Sequence, residues 1–262
     1  MRLLLWLFLS TPVFTSTVFT SAARAEDATL TARQIFERAE QTRKVDNSIQ
    51  TLRMVLIGRN GAERVRELEM KVRRDDDVLS SYTRFSEPSD VAGTQLVVVD
   101  HPDQLDEQLL YLPALKRVQR ISGRARSGSF MGSDFAFEDL ELSQASRASH
   151  QIIDETEEFW IIETTPTEDS GSSYGKLISQ VHKVDYLPRK IEYFDQRGRP
   201  LKVLTVTETT MDGETIIPRI SVMKNVQKNT ATRLEILSHQ LNVEKEQIPE
   251  ETFTPTFMER NG

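Results

Sequence analysis

The pattern of hydrophobic and polar residues predicts one short helix followed by many strands. Between residues 32 and 39 apolar side chains recur at helical spacing, and Thr31 with Gln34 has the form of an N-terminal capping box. This pattern predicts an amphipathic helix with Ile35 and Phe36 on its apolar face.

From Ser48 onward the apolar period changes to two, which is typical of strands. Asn60-Gly61 is a strong hairpin-turn signal between the first two candidates. The chain lacks the strand–helix–strand alternation that builds parallel sheets. It therefore predicts a mainly β fold with a large antiparallel sheet, curved or barrel-like, and a sandwich packed on itself is the alternative. The candidate strands lie at residues 51–57, 67–73, 79–85, 94–100, 107–112, 115–121, 151–153, 159–164, 176–184, 189–194, 202–209, 215–224 and 231–243.

Few predicted elements are left to cover such a sheet. Beside the first helix there is only the segment at residues 130–145, which is too little to fill a conventional two-layer core. We therefore expect the sheet to curl around an apolar cavity. The candidates for lining it are inward-facing strand residues: Leu96, Val98, Leu110, Leu112, Trp160 and Ile162.

Residues 128–140, GSFMGSDFAFEDL, mix apolar side chains with glycine and acid, directly after a cationic run at residues 116–126. The large apolar members are Phe130, Met131, Phe135 and Phe137. Gly132 and the Ser-Gly-Ser that precedes the first phenylalanine are conformationally soft. Three interpretations are open: a catalytic loop, a short helix capped by Ser133 or Asp134 in an ordinary core, or a mobile apolar flap over a cavity.

The first residues have the parts of a secretory signal peptide: a positive charge at Arg2, an apolar stretch, and small residues that end at Ala25. Polar residues interrupt the apolar stretch too early for a membrane span of about 20 residues. We expect residues 1–25 to be removed and residues 26–262 to form a single domain on the far side of the inner membrane. An uncleaved N-terminal anchor is the alternative.

Charge and cysteine content narrow the range of partners. The net charge of −7 becomes −9 if Arg2 and Arg24 leave with the signal peptide. Such acidity argues against nucleic acid as the main partner, so we interpret the cationic run as a local solvated edge. The chain has no cysteine, which excludes disulfides, thiolate chemistry and cysteine-based metal sites.

No constellation of residues predicts an enzyme. Residues 171–175, GSSYG, fit the G-x-S-x-G pattern of serine hydrolases, but the strand-to-helix turn that exposes the serine is missing and a hairpin loop is predicted instead. The histidines lie far apart in sequence, without metal-site spacing: His101, His150, His182 and His239. We predict no catalytic residue, no metal and no cofactor.

Two blocks of the sequence resemble a known family. Residues 111–118, YLPALKRV, and residues 128–135 with the Glu-Asp-Leu at 138–140 are similar to the outer membrane lipoprotein-sorting protein family, a branch of the LolA/LolB-like superfamily. Weaker features at Gly93-Thr94 and Tyr186-Leu187-Pro188 extend the likeness over nearly all of the mature chain.

The resemblance implies a periplasmic protein of a Gram-negative bacterium. Its fold would be an incomplete, strongly curved antiparallel β-barrel, with an N-terminal helix and short lid helices on the concave side. Superfamily members hold acyl chains of lipoproteins there and carry them between the membranes. Members of this branch are often encoded beside exporters of the RND type. The best-known carriers lock the lid with an arginine, which the sequence does not identify here.

The predicted function is a non-enzymatic carrier that binds acyl chains of lipoproteins or other lipids and transfers them toward the outer membrane. The four large apolar residues of 128–140 would lie on the lid, with Ile35 and Phe36 beside it. An RND-type inner-membrane exporter is the expected membrane partner, and we expect a monomer. The alternative is a periplasmic adaptor or sensor that works with such an exporter or with a signalling protein and has no lipid cargo.

Overall fold

The computed structural model describes residues 30–42, 46–100, 105–141 and 147–262. Residues Thr31–Gly262 form one compact unit. The predicted signal peptide lies outside the described residues, and so does His101.

Thirteen antiparallel strands form a single sheet. Helix α1 precedes them and helix α2 follows them, and short 3-10 helices lie in the connections. The helices are α1 Ala32–Thr42 and α2 Pro255–Arg260. The strands are β1 Asn47–Ile57, β2 Glu63–Asp75, β3 Val78–Glu87, β4 Gln95–Asp100, β5 Glu107–Leu112, β6 Arg117–Ile121, β7 Ala148–Glu155, β8 Phe159–Pro166, β9 Tyr174–His182, β10 Pro188–Asp195, β11 Pro200–Asp212, β12 Thr215–Asn225 and β13 Thr230–Leu241.

The first and the last strand pair with each other in the middle of the sheet. The order is β6-β5-β4-β3-β2-β1-β13-β12-β11-β10-β9-β8-β7, so the two edges are β6 and β7, which are consecutive in the chain. The sheet is curled but not closed. This confirms the predicted incomplete antiparallel barrel with an N-terminal helix, and the sandwich alternative is wrong.

Several irregularities in strand pairing accompany the curvature. The register shifts between Thr51 and Leu52 where β1 meets β13, and again along β11 between Val206 and Thr210. Such bulges increase the local twist and bend a strand. They let long strands curl, and strand pairing continues on both sides of each irregularity.

Helix α1 begins as its sequence predicts. The backbone N–H of Thr31 donates to Oε1 of Gln34 at 2.9 Å, and the backbone N–H of Gln34 donates to Oγ1 of Thr31 at 3.3 Å. Ile35 is fully buried, and the ring of Phe36 lies 4.8 Å from the ring of His150 on β7. The apolar face of α1 therefore packs at the β7 edge of the sheet.

The convex face of β3–β5 is covered by the C-terminal segment, which the sequence analysis did not predict. Met258 on α2 packs on an apolar cluster that includes Tyr82 and Val97. The buried side chain of Gln95 donates to the carbonyl of Met258 at 2.9 Å and accepts from the hydroxyl of Tyr82 at 2.9 Å. Thr254 caps the helix by accepting from the N–H of Phe257. The expectation that only α1 and residues 130–145 cover the sheet was wrong.

Candidate functional site

The connection between the two edge strands crosses the concave face of the sheet. Within it, residues 128–140, which we call the lid segment, fold back on themselves. The N–H of Phe130 donates to the carbonyl of Phe135 at 2.7 Å, and the N–H of Phe137 donates to that of Gly128 at 3.1 Å. Met131 and Gly132 at the bend have φ of 50° and 73°, a left-handed conformation that suits glycine.

The aromatic side chains of the lid segment fill the concave face. Phe130, Phe135 and Phe137 are buried, and Met131 is partly buried against the same cluster. The ring of Phe130 lies 5.7 Å from that of Phe85 on β3 and 5.6 Å from that of Phe137. The strands' own side chains therefore leave a concavity that the lid segment occupies.

Most of the predicted cavity residues lie under this segment. Leu96, Val98 and Leu110 are buried in the cluster with the lid phenylalanines, and Leu112 is partly buried against it. Residues opposite each other in a ladder share a face of the sheet. Ile191 on β10 packs against the cluster under the lid, and pairing from β10 through β9 to β8 places two further predicted residues on the same concave face, away from the lid aromatics. These are Trp160, which stacks on Tyr186 at 5.5 Å, and the fully buried Ile162.

A second part of the concave face is apolar but only partly covered. Its side chains pack against the lid-covered cluster from β2, β9, β10, β11 and β13 and keep some exposed area: Met70, Leu177, Ile191, Leu204, Leu234 and Ile236. The lid segment thus covers one part of a larger apolar concavity.

A buried ion pair holds the lid segment to the sheet. Nζ of Lys202 on β11 donates to Oδ2 of Asp139, and the two side chains are 4% and 2% exposed. The same carboxylate accepts from the hydroxyl of Tyr174 at 2.7 Å and from the N–H of Ala136 at 2.6 Å. Burial together with Asp139 and Glu138 raises the pKa of Tyr174, so its hydroxyl stays a donor.

Glu138 is the second carboxylate anchor of the lid segment. Its Oε2 accepts from the hydroxyl of Ser172 at 3.1 Å and from the N–H of Ser173 at 3.0 Å, and its Oε1 accepts from the hydroxyl of Ser173. Both serines belong to the G-x-S-x-G match. They lie in the β8–β9 connection and bind the lid, as expected of a loop rather than a nucleophile elbow.

A third anchor lies at the ends of the lid segment. Arg126, just before it, pairs with Glu141, just after it, at 2.5 Å, and both side chains are largely buried. Nη1 of Arg126 also donates to the carbonyl of Ser170 at 2.8 Å. Burial raises the pKa of Glu141 to about 7, against the opposing effect of Arg126.

The predicted helix cap at Ser133 or Asp134 was wrong. The carboxylate of Asp134 accepts from the hydroxyls of Thr230 at 2.6 Å and Thr232 at 3.0 Å on β13, and its N–H donates to Oγ1 of Thr232 at 2.9 Å. The short helix at Phe137–Leu140 instead begins after Ala136, whose N–H donates to Oδ2 of Asp139 at 2.6 Å. The acid at 134 therefore ties the lid to the sheet.

Two further contacts reach lid carbonyls. Arg66 on β2 is buried, and its Nη1 donates to the carbonyl of Met131. Burial lowers the pKa of Arg66, with Arg64 acting in the same direction and Asp90 against it. Nε2 of Gln108 donates to the carbonyl of Phe137 at 3.0 Å. Arg66 thus binds the bend of the lid segment through a hydrogen bond to its backbone.

This polar layer under the lid segment was not predicted from the sequence. A signal was present at Lys202, since alternation in β11 places it on the same face as Leu204, where an apolar residue is expected. A charge at an inward position indicates a buried partner. The sequence does not say which of the 40 acidic residues that partner is.

In the described ranges no group of three or more histidine or acidic side chains could hold a metal ion. None of the helices there is both long and apolar enough to cross a bilayer.

Known structures share this fold. The chain is similar to a domain described as an outer membrane lipoprotein-sorting protein from Vibrio parahaemolyticus, with 29% identity, a TM-score of 0.81, and coverage of 87% of this chain and 98% of that one. A DUF1329 family protein from Desulfovibrio piger has 22% identity and a TM-score of 0.81 over 87% and 97% of the two chains. A LolA superfamily protein from Nitrosomonas europaea has 17% identity and a TM-score of 0.70 over 87% and 99%.

The curled, open antiparallel sheet is the fold that this chain has in common with these structures, and the resemblance to outer membrane lipoprotein-sorting proteins is confirmed. A family model described as "Uncharacterized protein" matches residues 78–260, and the chain belongs to that family. A comparison with curated proteins found no match.

Proposed function

We propose that this protein is a periplasmic, non-enzymatic carrier that binds acyl chains of lipoproteins or other lipids in its concave face and transfers them toward the outer membrane. The observation that carries the proposal is the lid segment, whose three buried phenylalanines occupy an apolar concavity that strand side chains leave open. The LolA-like fold supports the same role.

Cargo and lid aromatics would compete for one surface. Each methylene that leaves water contributes roughly 0.8 kcal/mol, so the concavity binds an acyl chain without a catalytic group. The closed lid must first leave, and the cost of opening is subtracted from the affinity for cargo. That cost would keep binding moderate and allow release to an acceptor.

The lid contacts are of a kind that can reverse. They are hydrogen bonds and ion pairs to side chains such as Lys202, Arg66 and Thr232, combined with aromatic packing. In this proposal Phe130, Phe135 and Phe137 leave together, and acyl chains contact Leu96, Val98 and Leu110 in their place. Met70, Leu204 and Ile236 would extend that surface.

The remaining predicted residues enter the proposal as further walls of the concavity. Trp160, Ile162 and Leu112 share its face, and α1 with Ile35 and Phe36 covers it at the β7 edge. The role of an RND-type exporter as the membrane partner is supported by the family resemblance alone.

A reversible disulfide between the lid segment and β13, which we call the staple, tests whether the lid segment must move away for cargo to bind. The chain has no cysteine, so Asp134→Cys combined with Thr232→Cys introduces a single pair. The side-chain oxygens at these positions are 3.0 Å apart. Oxidation should abolish uptake of a fluorescent fatty acid, and reduction should restore it, while Asp134→Cys alone should take up the probe under both conditions. Equal uptake by the oxidised and the reduced double variant would refute the lid role.

One observation favours the second candidate function, an adaptor or sensor without cargo. In this structure the lid phenylalanines already fill the concavity over β1–β5. Native mass spectrometry of protein purified from its host separates the two functions. Co-purified lipid that is lost on oxidation of the staple supports the carrier. Lipid-free protein that also takes up no added fatty acid supports the adaptor.

A further inference from the structure

The strand register sorts the hairpin connections onto two ends of the curled sheet. Because the strands are antiparallel, Ile57 pairs with Glu63 on one side and with Ala231 on the other, so the connections at 58–62 and 226–229 lie at the same end. The same pairing adds the connections at 88–94, 113–116, 167–173 and 196–199 to this end. The remaining hairpin connections lie at the opposite end.

The two ends carry opposite charge. In the described parts of the connections, the first end has five basic residues and three acidic ones, and the opposite end has one basic residue and seven acidic ones. We call them the basic end and the acidic end. The basic end contains Arg59, Lys116, Arg197, Arg199 and Lys228, with Asp90, Glu168 and Asp169. The acidic end contains Asp76, Asp77, Asp106, Glu157, Glu158, Asp185 and Glu214, with Lys183.

The cations of the basic end are exposed, and most lack a carboxylate partner. Among the described residues Lys116, Arg197 and Lys228 form no ion pair, whereas Arg199 pairs with Asp195 at 2.7 Å. By contrast, the one basic residue in the described hairpin connections of the acidic end, Lys183, pairs with Glu155. The basic end therefore presents uncompensated positive charge on a protein whose net charge is −7.

Exposed apolar side chains stand among these cations. Leu115 is 48% exposed beside Lys116, and Val226 is 42% exposed two residues before Lys228. An apolar side chain flanked by cations suits the boundary between lipid headgroups and acyl chains. Val184 and Met211 protrude near the acidic end, but acidic turns oppose contact with an anionic surface.

We propose that the basic end docks on an anionic phospholipid surface. Each lysine or arginine close to such a surface is attracted to it, and the attraction falls off within a Debye length of about 8 Å at physiological salt. A strand of ten residues is roughly 33 Å long, so the acidic end lies several Debye lengths away. The charge polarity would then orient the protein as well as attract it.

Docking at this end brings the lid bend to the membrane. A cleft of about 280 Å³ opens there between the turn at Gly58, the lid bend at Gly132 and the turn at Lys228. Arg64 also lines it, and this guanidinium forms no ion pair with any described residue. This proposal rests on the carrier function, because it makes the basic end the side from which acyl chains enter or leave.

Vesicle sedimentation tests the proposal separately from cargo binding. The full-length mature protein is mixed with vesicles of phosphatidylcholine alone or with added phosphatidylglycerol, at low and at physiological salt. The test variant is Lys116→Glu with Arg197→Glu. The matched control is Arg219→Glu with Lys245→Glu, which changes the net charge equally but away from the basic end. Uptake of fluorescent fatty acid in solution is measured for each protein.

We expect binding to the anionic vesicles only, weakening with salt, and a loss of tenfold or more in the test variant but not in the control. Fatty-acid uptake should be the same in all three proteins, so loss of carriage and loss of docking are distinguishable. Equal binding to both vesicle types, equal loss in test and control variants, or no binding to either vesicle would overturn the proposal. In the last case an acidic protein becomes the partner to search for.

Discussion

The ion pair between Lys202 and Asp139 gives the sharpest test of how the lid segment is held. Asp139→Asn keeps the shape of the side chain and an oxygen for the hydroxyl of Tyr174, but it removes the negative charge. The ammonium of Lys202, 4% exposed, is then left without its carboxylate. The carbonyl of Asp134, at 3.4 Å from Nζ, and the rings of Tyr174 and Tyr193, at 5.0 and 5.1 Å, remain as its partners, and none of them carries a full negative charge.

The magnitude follows from that burial. Removing one partner of a buried pair costs about 3–5 kcal/mol, because the other charge stays in a poorly solvated site. Asp139→Asn and Lys202→Met should each fall in this range. When both are changed, no uncompensated charge remains, and we expect the double variant to lose less than the sum of the two single losses by about 2–3 kcal/mol.

Two measurements separate the lid from the whole fold. Urea unfolding gives the global free energy of each variant. Hydrogen exchange of backbone amides in residues 128–140 gives the free energy of opening the lid alone. If the ion pair holds the lid segment closed, hydrogen exchange in residues 128–140 should accelerate in both single variants. The acceleration there should be larger than the acceleration in β1 and β13.

Additive losses in the double variant would show that the two charges do not act on each other. A loss below 1 kcal/mol in Asp139→Asn would show that Lys202 is solvated in solution and that the pair does not hold the lid. Either result would contradict the role of this ion pair in holding the lid segment.

Two further predictions concern groups around the lid and the C-terminal cover. Burial raises the pKa of Glu141 to about 7 in the folded state, so the folded state binds this proton more tightly than the unfolded state. The stability gained from this proton is complete below the unfolded pKa and is lost as the pH rises through about 7. Wild-type stability should therefore fall from pH 5 to pH 7.5 by more than that of Glu141→Gln, as measured by urea unfolding, and parallel pH profiles would contradict this. Gln95→Leu leaves the carbonyl of Met258 and the hydroxyl of Tyr82 unpaired in a buried site and should cost about 2–4 kcal/mol. A change below 0.5 kcal/mol in thermal or urea unfolding, roughly what a surface substitution costs, would show that water reaches this site.

The local structure of most of this protein can be predicted from short-range sequence patterns. The period-two pattern after Ser48 predicted the strands, Asn60-Gly61 predicted the first hairpin, and Thr31 with Gln34 predicted the start of α1. These signals are readable because each depends on side chains only a few residues apart. The mixture of large apolar residues, glycine and acid at 128–140 suggested a flap as one of three interpretations, and the family resemblance added an incomplete barrel with lid helices.

The contacts beneath the lid segment depend on the folding of the whole chain and could not be predicted from local patterns. Asp139 meets Lys202, and Asp134 meets Thr230 and Thr232, across more than 60 residues of chain. The charge polarity of the two ends is equally invisible in sequence, because it arises when antiparallel pairing gathers alternate turns at one end. The short helix α2 was missed since six residues carry too little periodicity, and its stability depends on packing against the convex face and on the hydrogen bond from Gln95.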